Sequence, residues 1–139
     1  MIINNMLGLK IKNDSMVMYL LKNSAFTEVQ LDTYLIENMT VGKQISLNAK
    51  IAMRDKNKIS KSSFLRTLNQ AQKNLQRSVY SLILAEYLGL IEEGSIIKLI
   101  QIGNLLKNVN GQISDKNKFK IYKIIESMVE IISRKRNIE

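Results

Sequence analysis

Arg66, Gln70, Lys73 and Arg77 recur at spacings of four, three and four residues. On an α-helix this spacing gathers two guanidiniums, an amide and an ammonium within about 60° of arc. The chemistry such a row can do is recognition of nucleic acid. Arg and Lys donate to phosphate oxygens or guanine, and Gln and Asn pair with adenine or the backbone. Ser62 and Asn69 flank the row. Lys61, Ser62 and Ser63 stand where the helix would begin, so unpaired N–H groups and the helix dipole add a place for a phosphate. No acid interrupts residues 61–77.

The surrounding segment carries the same sign. From Asn38 to Ala85 run nine basic residues, Lys43, Lys50, Arg54, Lys56, Lys58, Lys61, Arg66, Lys73 and Arg77, against Asp55 alone, in a chain of net charge +9. A merely solvated face mixes signs. A cluster of one sign repels itself unless an anion offsets it, and the usual anion is a phosphate backbone. The expected contact set is therefore Lys50, Arg54, Lys56, Lys58, Lys61, Ser62, Ser63, Arg66, Asn69, Gln70, Lys73 and Arg77, with duplex DNA as partner. Stacking of single-stranded bases wants aromatics among the cations, and Phe64 falls on the opposite, packing face.

Composition excludes much else. At 139 residues the chain fits one domain, and 45% apolar with 24% charged residues is ordinary for a globular protein. There is no proline and there are six isolated glycines, so the expectation is an all-α, single-domain bundle of five to six helices. Cysteine and histidine are absent, which removes disulfides, thiol catalysis, Cys/His zinc sites and the commonest general base. No glycine-rich phosphate loop appears. Carboxylates such as Glu86, Glu92 and Glu93 remain, but a non-enzymatic protein without cofactor or metal is expected. Met1 to Leu9 does not read as a signal peptide, because its first charge, Lys10, follows the apolar part. The longest apolar run, Val79–Ile91, falls short of the ~20 residues that span a bilayer. A cytoplasmic protein with no membrane partner follows. The Ile, Lys and Asn bias suits an AT-rich archaeal or viral genome.

The elements that must position the basic row read as follows. Ser15 caps a short helix to Lys22, with Met16, Tyr19 and Leu20 on one face. Thr27 caps the next, with Gln30 at the capping-box position and Val29, Leu31, Leu35 and Ile36 inward. A third runs from Gln44 to Met53, with Ile45, Ala49 and Ala52 or Met53 inward. Arg54–Ile59 is a polar turn. Ser60 then caps a long helix towards Gly89, whose packing stripe is Phe64, Leu68, Ala71, Leu75, Val79 and Leu82. Beyond a connection from Gly89 to Gly94, one helix spans Ser95 to Lys107. After Asn110-Gly111 another starts at Ser114 or Asp115 and reaches Arg136. Because Val79–Ile91 is apolar nearly all round, it is expected to be buried in the core with the first two helices.

The order short helix (Gln44–Met53), polar turn (Arg54–Ile59) and helix opening Ser60-Lys61-Ser62-Ser63 resembles a helix-turn-helix, whose second helix enters the major groove by its N-terminal residues. With the Thr27–Asn38 helix in front, Ser15–Arg77 resembles the helical part of winged-helix and helix-turn-helix regulators. The turn is longer than the usual three to four residues. The hairpin candidate, Val109-Asn110-Gly111-Gln112-Ile113, lies too far along the chain for a wing, so a wingless form is expected. The resemblance implies a transcriptional regulator, sequence-specific or architectural, with residues 15–91 as the reading core and 95–139 as a C-terminal helical pair.

That last helix carries Phe119, Tyr122, Ile125, Met128, Val129 and Ile132 on one stripe, which suits a homodimer seam, and Arg134-Lys135-Arg136 could add phosphate contacts. The competing expectation is a helical structural or protein-docking subunit, a virion or nucleoprotein component or a polymerase-binding factor, meeting an acidic surface of a transcription complex.

Overall fold

The computed structural model describes residues 11–54, 59–109 and 112–133. After a 3-10 turn, Ile11–Asn13, come α1 (Ser15–Lys22), α2 (Glu28–Thr40), α3 (Leu47–Ala52), α4 (Lys61–Tyr87), α5 (Ser95–Val109) and α6 (Asp115–Ser133). The fold is all-helical, and the described residues contain no strand. Val109 of the hairpin candidate belongs to α5, and Asn110 and Gly111 lie outside the described residues.

Local chemistry explains the helix ends. Asp14, not Ser15, caps α1, its carboxylate accepting from the N–H groups of Met16 at 3.0 Å and Val17 at 3.1 Å. The carboxylate outcompetes the hydroxyl because it accepts two bonds and carries the charge that a helix N-terminus favours. Thr27 and Gln30 form the expected reciprocal capping box at the start of α2. Ser46 caps α3, whose helical turn begins three residues later than the pattern suggested. At the end of α4, Gly89 adopts φ 68°. Its N–H donates to the Glu86 carbonyl at 3.1 Å, while the Leu90 N–H reaches the Ala85 carbonyl at 2.9 Å. That pair of bonds is a Schellman termination, so Gly89 ends the helix instead of kinking it.

The chain divides into two compact units, Met1–Ser78 and Val79–Glu139, with the division inside α4. The first has a small core. Ile36 of α2, Ile51 of α3 and Phe64 of α4 meet in one cluster, with Leu47 and Ile59 packed against it. Ile11, Met16, Leu21, Leu68 and Ala71 are buried as well. In α3 the inward pair is Leu47 and Ile51, a four-residue step. Ala49, Ala52 and Met53, expected inward, are exposed, because at 100° per residue they lie about 120° or more around the helix from the Leu47–Ile51 side. Leu20 of α1 is likewise exposed.

Thr33 is fully buried in α2, and its hydroxyl has no hydrogen-bond partner among the described residues. An unmet buried hydroxyl carries a desolvation cost, so Thr33→Val is expected to stabilise the protein by about 1 kcal/mol in urea unfolding. A destabilised Thr33→Val would show that the hydroxyl is satisfied after all.

The second unit overturns an expectation. Val79–Ile91 is not a buried segment. Val79, Tyr80, Leu82, Ile83, Leu84, Tyr87, Leu88 and Leu90 are all exposed. Ser95 is the sole fully buried residue of α5, and α6 has none. Each of these two helices turns a stripe halfway inward: Ile96, Leu99, Ile102 and Leu106 on α5, and Tyr122, Ile125, Met128 and Ile132 on α6. Phe119 and Val129 stay outside that stripe, and Lys123 lies 5.5 Å over the Phe119 ring. The apolar periodicity is present, but this unit holds too few facing elements to cover it. Among the described residues, no helix is long and apolar enough to cross a membrane.

Candidate nucleic-acid interface

The first half of α4 is held from one side and open on the other. Ser60 caps it: its hydroxyl accepts from the Ser63 N–H at 3.1 Å and donates to the Ser63 hydroxyl at 3.1 Å. Phe64, Leu68 and Ala71 fix the inward face. Asn74 completes the attachment, donating to the Ala25 carbonyl at 3.1 Å and to Gln30 Oε1 at 2.9 Å. Gln30 Oε1 also accepts the Thr27 N–H at 3.0 Å. The N-terminus of α2 is thereby tied to α4 through one amide, and the helix cannot roll without breaking that tie.

With that face fixed, the opposite one is presented to solvent. Lys61, Ser62, Arg66, Asn69, Gln70, Lys73 and Arg77 are all exposed. Among the described residues, no ion pair engages Lys61, Arg66, Lys73 or Arg77; elsewhere Lys50 pairs with Glu37 and Lys123 with Glu126. Arg66, Lys73 and Arg77, with the Gln70 amide among them and Asn69 beside it, make a cationic, donor-rich surface some 16 Å long at 1.5 Å of rise per residue, and Lys61 stands at the helix N-terminus. Such a surface accepts an extended anion.

The remaining members of the expected set fare differently. Lys50 leaves it: its ammonium donates to Glu37 Oε2 at 2.9 Å, with both side chains largely covered, so it serves α2–α3 packing. Ser63 is half-buried and engaged with Ser60, so it supports the cap instead of facing outward. Arg54 is half-buried with Nε out of water and without a partner among the described residues. Lys56 and Lys58, with the turn they belong to, lie outside the described residues, as do Arg134, Lys135 and Arg136.

Two residues that hold these helices together escape the sequence pattern. Glu37 sits one residue before the basic segment that starts at Asn38, and its pairing with Lys50 crosses helices, where no periodicity links them. Asn74 falls between Lys73 and Leu75, off the polar face at the edge of the packing stripe. That off-face amide was the available signal. Among the described residues, no group of three or more acidic side chains could hold a metal ion. Neither protein-family models, nor curated proteins, nor solved structures contain a match to this chain.

Proposed function

We propose that the protein binds duplex DNA through the exposed face of the first half of α4, as a sequence-specific or architectural binder with a role in transcription. The observation that carries this is the unpaired, acid-free row Arg66, Lys73 and Arg77, with Lys61 at the N-terminus, on a helix anchored from behind. In this reading α3 and α4 act as a helix-turn-helix pair and α4 is the recognition helix. Arg66, Lys73 and Arg77 take phosphates and set the register, Gln70 and Asn69 reach base edges, and the N-terminal N–H groups near Lys61 and Ser62 add a phosphate contact. A homodimer would give the two-fold reader that such proteins commonly form.

Single substitutions separate the two kinds of contact. Lys73→Ala is expected to weaken binding to all duplexes alike and to flatten the dependence of log K on log salt by about one unit. Gln70→Ala is expected to cost roughly 1–3 kcal/mol at a preferred site and little elsewhere. Mobility-shift titrations at two salt concentrations read both, and equal losses on all sequences for Gln70→Ala would remove its base-reading role.

The exposed apolar surface of the second unit favours an alternative in which the chain is a structural or protein-docking subunit, its basic face meeting an acidic surface of a transcription complex. The same titration decides between them. Salt-dependent binding to random duplex DNA supports the first, and no binding at low salt supports the second.

A further inference from the structure

The second half of α4 exposes a stripe that nothing among the described residues covers. Tyr80, Ile83, Leu84 and Tyr87 are 73%, 58%, 58% and 85% exposed. At 100° per residue they span about 100° of arc over two turns. No charged residue shares that arc, since Glu86 projects about 100° or more away from its centre. Two tyrosines beside two branched aliphatics, free of charge, is the composition of an interface core.

The unit around it needs a partner. Sixteen large apolar side chains of residues 79–133 are exposed. At roughly 100 Å² each the four stripe residues offer ~400 Å² and all sixteen, spread over three helices, on the order of 1,600 Å², whereas a standard interface takes ~800 Å² per partner, so neighbours of the stripe must join it. The charge of the unit also permits a copy of itself to approach: residues 79–139 hold nine basic and seven acidic side chains, against twelve and five in residues 1–78. Self-repulsion is concentrated where the apolar surface is not.

We infer that two copies of this chain pair through the Tyr80–Tyr87 stripe of α4. This pairing rests on the homodimer proposed above, with the seam on α4 in place of the terminal helix.

The chain has no cysteine, so a single introduced thiol reports one contact. Light scattering on the intact protein at micromolar concentration, without DNA, is expected to give twice the 15.9 kDa chain mass. Leu84→Glu with Tyr87→Glu is expected to halve it with the helical circular dichroism kept, because both side chains are exposed within one chain. Leu84→Cys is expected to form a covalent dimer on mild oxidation, and Phe119→Cys to stay a monomer on a denaturing gel. A monomeric intact protein overturns both self-association and this seam. An intact dimer that crosslinks through Phe119→Cys and not Leu84→Cys overturns the seam alone and returns the contact to α6.

Discussion

A chain carrying Arg66→Ala, Lys73→Ala and Arg77→Ala together is expected to lose roughly 100-fold in affinity for duplex DNA, at about 1 kcal/mol for each screened charge-assisted contact. The salt dependence is the sharper readout. Each phosphate contact releases about 0.9 counterion, so removing three should flatten the slope of log K against log salt by about 2.7. Folding should not suffer, because the three side chains project away from Phe64, Leu68 and Ala71 and make no ion pair among the described residues. Unchanged affinity in a variant with the wild-type unfolding midpoint would refute the proposed DNA face and leave protein docking as the better account.

What could be read from the sequence, and what could not, follows from the range over which each signal acts. The helices were legible because their causes are local. The Thr27–Gln30 capping box and the Ser60 cap act across three residues. The span of α1 matches and its cap alone differs, for the same reason: Asp14 and Ser15 are both good caps, and only the geometry decides between adjacent ones. The basic face was legible because helical periodicity alone puts Arg66, Gln70, Lys73 and Arg77 together. The links between helices were not. Lys50–Glu37 and Asn74–Gln30 join residues 13 and 44 positions apart, a separation that leaves no trace in periodicity.

Burial was the hardest property to read. An apolar helix face states that something must cover it, without stating what. The stripe Phe64, Leu68, Ala71, Leu75, Val79 and Leu82 is continuous in the sequence, yet only its first three members are buried, and Leu75, Val79 and Leu82 are 42%, 47% and 40% exposed. The difference is length. At 1.5 Å per residue α4 is ~40 Å long, whereas the six residues of α3 extend only ~9 Å and the thirteen of α2 ~20 Å. Nothing in the stripe itself marks where its coverage stops.

That same shortage of coverage makes Phe64 the most sensitive position in the first unit. Its ring is fully buried between Ile36 and Ile51, and these three residues form the cluster through which α2, α3 and α4 meet. Phe64→Ala is expected to cost about 3–5 kcal/mol, the loss of a large buried ring plus the cavity it leaves. A small domain has a net stability of ~5–15 kcal/mol, so much of this unit's margin would go. Leu75→Ala, one stripe position beyond the covered part, removes a half-exposed side chain and should cost under about 1 kcal/mol. Urea unfolding of the two variants under identical conditions checks the contrast. The Phe64 variant should also bind DNA poorly at temperatures where it is partly unfolded and recover on cooling, whereas the triple basic-face variant should bind poorly at every temperature. Equal, small losses at Phe64 and Leu75 would mean that the Ile36–Ile51–Phe64 cluster does not hold α4 in place.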